Sequence, residues 1–315
     1  MVSRWAYEAL VVKQYAENDY KSIPVKQYNF DTDEFLDVVR PYKDGDDVTL
    51  YDLEFAESHW DYRQAYYIPE VNKLVDNIDG TRKMLRKWNK KVKKAEKKGK
   101  EIPEFKGDTL QMKKDYKNLV SVLDYLAWEL DTVIPEGVDS LNPMELKSKD
   151  IKEIKDFVEL ANGKFSKHFS KIAEHKDNMM YGIIDSVGKQ IVAENGGDVD
   201  NTDSVAFYGE QYFTSLKNDY TNKYLNDIMR NSLAEQKIFW DNDDKEYVQV
   251  VDPIFKKPES NFFSHFYAPK KKLFGSYYGT FGFNLMVIWI MGIILYITLY
   301  FEGFKKALNL LSFGK

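Results

Sequence analysis

The sequence predicts a mainly α protein: an elongated helical hairpin or bundle domain with a small β-hairpin element and one C-terminal transmembrane helix. Three observations predict it. Two apolar stripes at helical spacing flank a break rich in Gly, Pro and Lys; Phe281 to Phe301 carries no charge; and KIFW and YVQVV flank an acidic turn. Apolar residues every three or four positions build one face of a helix. About twenty apolar residues suffice for a helix to cross the hydrocarbon core of a bilayer.

Composition sets the frame. With 315 residues, 43% hydrophobic and 30% charged, the chain can bury a real core in one large domain or two small ones. A net charge of -5 gives no case for nucleic acid as a partner. The lack of cysteine excludes disulfides, thiolate metal sites and a cysteine nucleophile. The 22 tyrosines fit amphipathic surfaces near a membrane or partner, and equally well-filled helical cores.

Residues 1–19 read as an amphipathic interfacial helix, with Trp5, Ala9, Val12 and Tyr15 near one side and an end near Asn18 and Asp19. Arg4 and Glu8 stand at the i,i+4 spacing of an ion pair. Residues 20–274 form a mostly helical domain. It begins irregularly, with turns at Pro41 and the KDGDD run, then a helix over 52–67, and Pro69 starts a new element. A long antiparallel hairpin covers about 70–133, its tip near 97–108. Its stripes are Val71, Leu74, Val75, Ile78, Leu85, Trp88 and Val92, facing Tyr116, Leu119, Val120, Leu123, Leu126, Ala127 and Leu130. A third helix follows Asn142-Pro143, a fourth runs over about 164–193, and ENGGDVDNTDS is a loop. Residues 205–233 read as one helix, about 236–251 as the β element, and 253–274 as an extended lead into the span at 275–302. A short tail, 303–315, follows. Three lysines precede the span (270–272) and three follow it (305, 306 and 315), so charge does not orient it.

Catalytic and metal motifs are absent. The sequence lacks a Walker-type phosphate loop, an H-E-x-x-H and a G-x-S-x-G, and the four histidines are scattered. His168 and His175 are two turns apart, short of the three or four ligands a zinc site needs. The DVDNTD loop lacks the turn glycine and terminal glutamate of a calcium loop. The chain therefore reads as a non-enzyme with no cofactor of its own. One charge feature stands out: Arg82, Lys83, Arg86, Lys87, Lys90, Lys91, Lys93 and Lys94 open a basic run that extends to Lys100. It is an electrostatic patch for anionic lipid or an acidic partner, or a solvated hairpin end.

Two stretches carry a family resemblance. SRWAYEAL, comprising Ser3, Arg4, Trp5, Tyr7, Glu8, Ala9 and Leu10, resembles the segment after the fifth span of the permease in G-type ATP-binding-cassette exporters of the Bacteroidetes type. His265, Phe266, Tyr267, Ala268 and Pro269, then Phe283 and Asn284, are similar to the entry to their final span. The resemblance implies a permease piece: an enlarged domain outside the bacterial inner membrane, for gating or for docking a periplasmic partner, plus the last span. Its partners would be the bilayer and the rest of the exporter, whose nucleotide-binding domain and five earlier spans lie outside this chain. On that reading Trp5, Tyr7 and Leu10 pack at the outer membrane face, and the chain is a piece of a longer protein. The alternative is a stand-alone tail-anchored helical interaction protein.

Overall fold

The computed structural model describes residues 2–24, 48–243, 245–256 and 264–300. The turns at Pro41 and KDGDD, and the tail 303–315, lie outside the described residues. The chain is mainly helical and divides into two compact units. One comprises Met1–Ala56, Glu174–Leu233 and Asp252–Lys315; the other comprises Glu57–Ala173 and Ala234–Val251.

The second unit is built on the hairpin. Helices α1 (Val2–Ala16) and α2 (Leu50–Tyr62) come earlier in the chain; α2 passes through a π-helical turn, Arg63–Tyr67, into α3 (Ile68–Lys97). Pro69 stands in the first turn of α3, as expected, but the π turn joins α3 to α2 without a break. Proline has no N–H to give the ladder, and the widened turn just before it, where Ile68 N–H reaches the Arg63 carbonyl, absorbs the mismatch. Helix α4 (Thr109–Glu129) returns antiparallel, capped by Asp108, which accepts from the Gln111 N–H. Val71, Val75, Ile78 and Leu85 are buried with Met112, Tyr116, Leu119, Leu123 and Leu126, while Val92 and Trp88 toward the tip are half-covered.

The helices expected at 142–161 and 164–193 are one: α5, Ser148–Glu194. The helical cost of an interior glycine, about 1 kcal/mol, is small beside the burial of Ile154, Val158, Ala161 and Phe165 on either side of Gly163. The first part of α5, through Ala173, belongs to this unit. Strands β1 (Ile238–Asp241) and β2 (Glu246–Gln249) pair antiparallel, Ile238 opposite Gln249, with Trp240 and Tyr247 packed across them at 5.1 Å.

In the other unit, the remainder of α5 meets α6 (Thr202–Tyr220) at backbone distance. A Cβ on Gly188 would lie 2.0 Å from the Val205 carbonyl oxygen, and one on Gly209 2.0 Å from that of Ile184. The helix expected over 205–233 breaks at Thr221-Asn222. Asn222 caps α7 (Lys223–Arg230) by accepting from the Leu225 N–H, and Asn231 ends it in the left-handed region. Phe255 anchors this core, with the rings of Tyr15, Tyr51 and Phe55 5.4–6.2 Å away. The lead into the span is also not simply extended: β3 (Lys270–Leu273) pairs with β4 (Ser276–Gly279). Apolar helix α8 (Thr280–Tyr300) follows directly, so the helical part of this segment starts at Thr280.

Candidate functional site at the entry to the apolar helix

Helix α1 buries Ala9, Val11, Val12, Tyr15 and Ala16, and Glu8 is buried among them at 2% exposure. A carboxylate in that position needs a partner of opposite charge. Strand β3 supplies it. Alternation along a strand sends neighbouring side chains to opposite faces, and here Lys271 is buried while Lys270 and Lys272 are half-exposed. Its Nζ lies 2.5 Å from Glu8 Oε1. The two-residue turn between β3 and β4 makes this register possible. Phe274 and Gly275 both have positive φ, 50° and 87°, the geometry that matches strand twist in tight hairpins.

Helix α8 completes the site. Its first residue, Thr280, donates its hydroxyl to the Ala268 carbonyl and its N–H to the Pro269 carbonyl at 3.1 Å, satisfying a helix end that would otherwise be bare. One turn later, fully buried Asn284 donates to Glu8 Oε2 at 3.0 Å and to the Trp5 carbonyl at 3.1 Å. Those two acceptors fix the amide orientation, leaving Asn284 Oδ1 buried without a hydrogen-bond partner among the described residues. Trp5 faces Phe283 at 6.5 Å, and Lys13 lies 4.3 Å over the Phe281 ring.

The two stretches that carry the family resemblance therefore meet. Arg4 does not pair with Glu8, which is committed to Lys271; Arg4 instead sits 5.1 Å over the Phe266 ring. Ser3, Tyr7 and Leu10 are exposed, Trp5 is half-covered and Ala9 is buried. His265 Nε2 lies 2.5 Å from the Pro253 carbonyl oxygen. Tyr267 adopts φ 72°, and burial, then Tyr7 and Glu8, push its hydroxyl above the ordinary phenol range. This arrangement ties α1, β3 and the start of α8 together. The charges are paired, and its chemistry is to fix α1 against α8 in one register. Beyond Asn284, α8 is mostly uncovered by the described chain, Trp289 being 67% exposed, and it is the one helix among the described residues long and apolar enough to cross a membrane.

The basic run splits into two kinds of residue. Arg82 is buried, bonded to Asp79 and to Ser148 Oγ, and Arg86 reaches Ser148 Oγ and the Leu146 carbonyl. These two arginines fasten α3 to the start of α5. Lys83 pairs with Asp79 at 2.6 Å, whereas Lys87, Lys90, Lys91, Lys93 and Lys94 are exposed.

A second buried ionic cluster escaped sequence reasoning. Arg63, in the π turn, donates its Nε to Glu129 Oε1 at 3.0 Å and its Nη2 to Tyr125 Oη at 2.5 Å. The guanidinium stands 5.2–5.5 Å from the rings of Tyr62, Tyr67 and Tyr125. Burial pushes the Glu129 carboxyl up, but Arg63 and His59 (3.2 Å from Oε1) outweigh it and hold the group down at about 2. Glu129 Oε2 and the hydroxyls of Tyr62 and Tyr67 are buried without a hydrogen-bond partner among the described residues. His168, weighed with His175 as a metal pair, packs edge-on against Trp60 at 4.7 Å, and no group of three or more metal-ligating side chains gathers among the described residues.

No known protein family, curated protein or solved structure matches this chain.

Proposed function

We propose that the chain is a permease piece of an ATP-driven exporter: an extracytoplasmic helical domain that gates the exit or docks a periplasmic partner, plus the last membrane span. The observation that supports this reading is the convergence of the two family-like stretches. Glu8 and Asn284 are separated by 276 positions yet share one buried hydrogen-bonded lock. In a permease, a shift of α8 would carry α1 with it through that lock. The uncovered flank of α8 suits lipid or the remaining spans of the transporter. ATP hydrolysis would belong to a separate nucleotide-binding domain, and the soluble region would face the periplasm from the inner membrane.

Topology is the first test. The chain has no cysteine, so single cysteines at exposed Asp124 and Glu210 report alone. Both should react with a membrane-impermeant maleimide once the outer membrane is removed. Reaction only after inner-membrane lysis rejects the exporter topology and leaves a cytoplasmic tail-anchored interaction protein. The coding sequence ahead of Met1 tests the family itself: an in-frame nucleotide-binding domain and five spans support it, and a stop codon there counts against it.

A further inference from the structure

We propose that the distal half of the α3–α4 hairpin is a docking surface for an anionic lipid headgroup layer. Residues 83–117 hold thirteen lysines and Arg86 against five acids, a formal +9, while the rest of the chain carries -14. The structure removes the usual explanation for such a run, a network of surface ion pairs. From Lys87 to Lys98 the lysines are exposed and form no ion pair among the described residues.

Their spacing makes the cost plain. Lys87 and Lys91, Lys90 and Lys94, and Lys93 and Lys97 stand at i,i+4, where like charges on one helix repel. The helix is nonetheless kept to Lys97, and its tip is closed firmly. Trp88 donates its Nε1 to the Pro103 carbonyl at 2.6 Å and packs on Phe105 at 5.5 Å, and the Phe105 ring lies over Gly107. A repelling surface held on a closed scaffold gains stability when anions neutralise it.

Apolar side chains select the kind of anion. Leu110 is 79% exposed, Ile102 52% and Met84 48%, standing among the lysines rather than under them. Apolar side chains beside lysines are the composition of a membrane-surface element, whose affinity sums buried apolar area and attraction to anionic lipid. Lysine ammonium groups are hydrated point charges without the fixed fork of arginine, which suits mobile headgroups. Arg82 and Arg86 are already committed to Asp79, Ser148 and Leu146. Trp88 and Phe105 are occupied with each other, so the tip offers no free stacking platform of the kind nucleic acid requires.

The test uses the full chain with α8 held in nanodiscs of neutral phosphatidylcholine. It is mixed with vesicles of pure phosphatidylcholine or vesicles containing about 30% phosphatidylglycerol, enough to set up an attractive surface potential. Recruitment to the anionic vesicles should exceed that to neutral ones by roughly tenfold or more and collapse in about 0.5 M salt. The triple variant Lys87→Glu, Lys91→Glu, Lys94→Glu should lose at least about tenfold while keeping its helical circular dichroism. Leu110→Ser should lose a few-fold. Equal recruitment to both vesicle types overturns the proposal, as does undiminished binding by the triple variant. Binding to polyglutamate that matches the vesicles and ignores Leu110→Ser also overturns it, and marks an acidic polypeptide as the occupant.

Discussion

Each unit of the molecule contains a buried carboxylate held by a buried cation, and the two are built in opposite ways. Glu8 uses both oxygens, one for Lys271 and one for Asn284, and its partners come from the far end of the chain. Glu129 concentrates Arg63 and His59 on one oxygen and leaves the other without a partner among the described residues. Its cation has a second source of stabilisation, the faces of three tyrosine rings. Lys271 has no such ring contact among the described residues. The contrast separates a pair that works as a register pin from one that works as the centre of an aromatic cluster.

The largest expected effect tests the pin. Lys271→Met strands Glu8 in an apolar setting and should cost about 3–5 kcal/mol in denaturant unfolding of the detergent-solubilised chain. Adding Glu8→Leu should restore most of it, because a well-packed apolar pair often equals a buried ion pair. A cost below about 1 kcal/mol for the single variant would show that water reaches Glu8 and that the pin is weak.

Glu129→Gln should cost less, about 2–3 kcal/mol, since the three rings still face the Arg63 cation. It also carries a pH signature. The folded carboxyl titrates at about 2, below the ordinary value of about 4.3 for an unfolded glutamate. Its stabilisation is therefore present above about pH 4.3 and is lost as pH falls toward 2. Acid unfolding followed by circular dichroism should show a shallower fall between those values in Glu129→Gln. An unchanged acid limb would assign the effect to other carboxylates.

How much of this was legible differs by element, for physical reasons. The stripes of α3 and α4 and the uncharged α8 were legible because periodicity and length are local properties of the chain. The β3–β4 hairpin was not, because its turn is Phe274-Gly275 rather than the usual Asn-Gly, and KKK looks like the flank of a span. Lys271 is in fact neutralised by Glu8, so counting it among the charges that flank α8 overstates that side. Arg4 and Glu8 suggest a pair by spacing alone, but burial sends Glu8 to a partner that no local pattern reveals. Arg63 and Glu129 were invisible for the same reason, lying 66 positions apart.

The smallest effect probes the looseness of the second cluster. Tyr67→Phe removes a buried hydroxyl without a hydrogen-bond partner among the described residues. It should leave stability within about 0.5 kcal/mol or raise it by up to about 1, because no hydrogen bond is lost. A loss above about 1.5 kcal/mol would reveal a bridging water at that hydroxyl.

The Glu8–Lys271 contact also has a consequence in time. Its partners are 263 positions apart, and a ribosome adds about 5–20 residues per second. Helix α1 therefore emerges roughly 13–53 s before the lysine that neutralises its buried carboxylate exists. During that interval its apolar side, with Glu8 in the middle, has to be shielded by lipid, a chaperone or the growing chain. Of the two partners, the helix made earlier waits for the strand made later before it can settle.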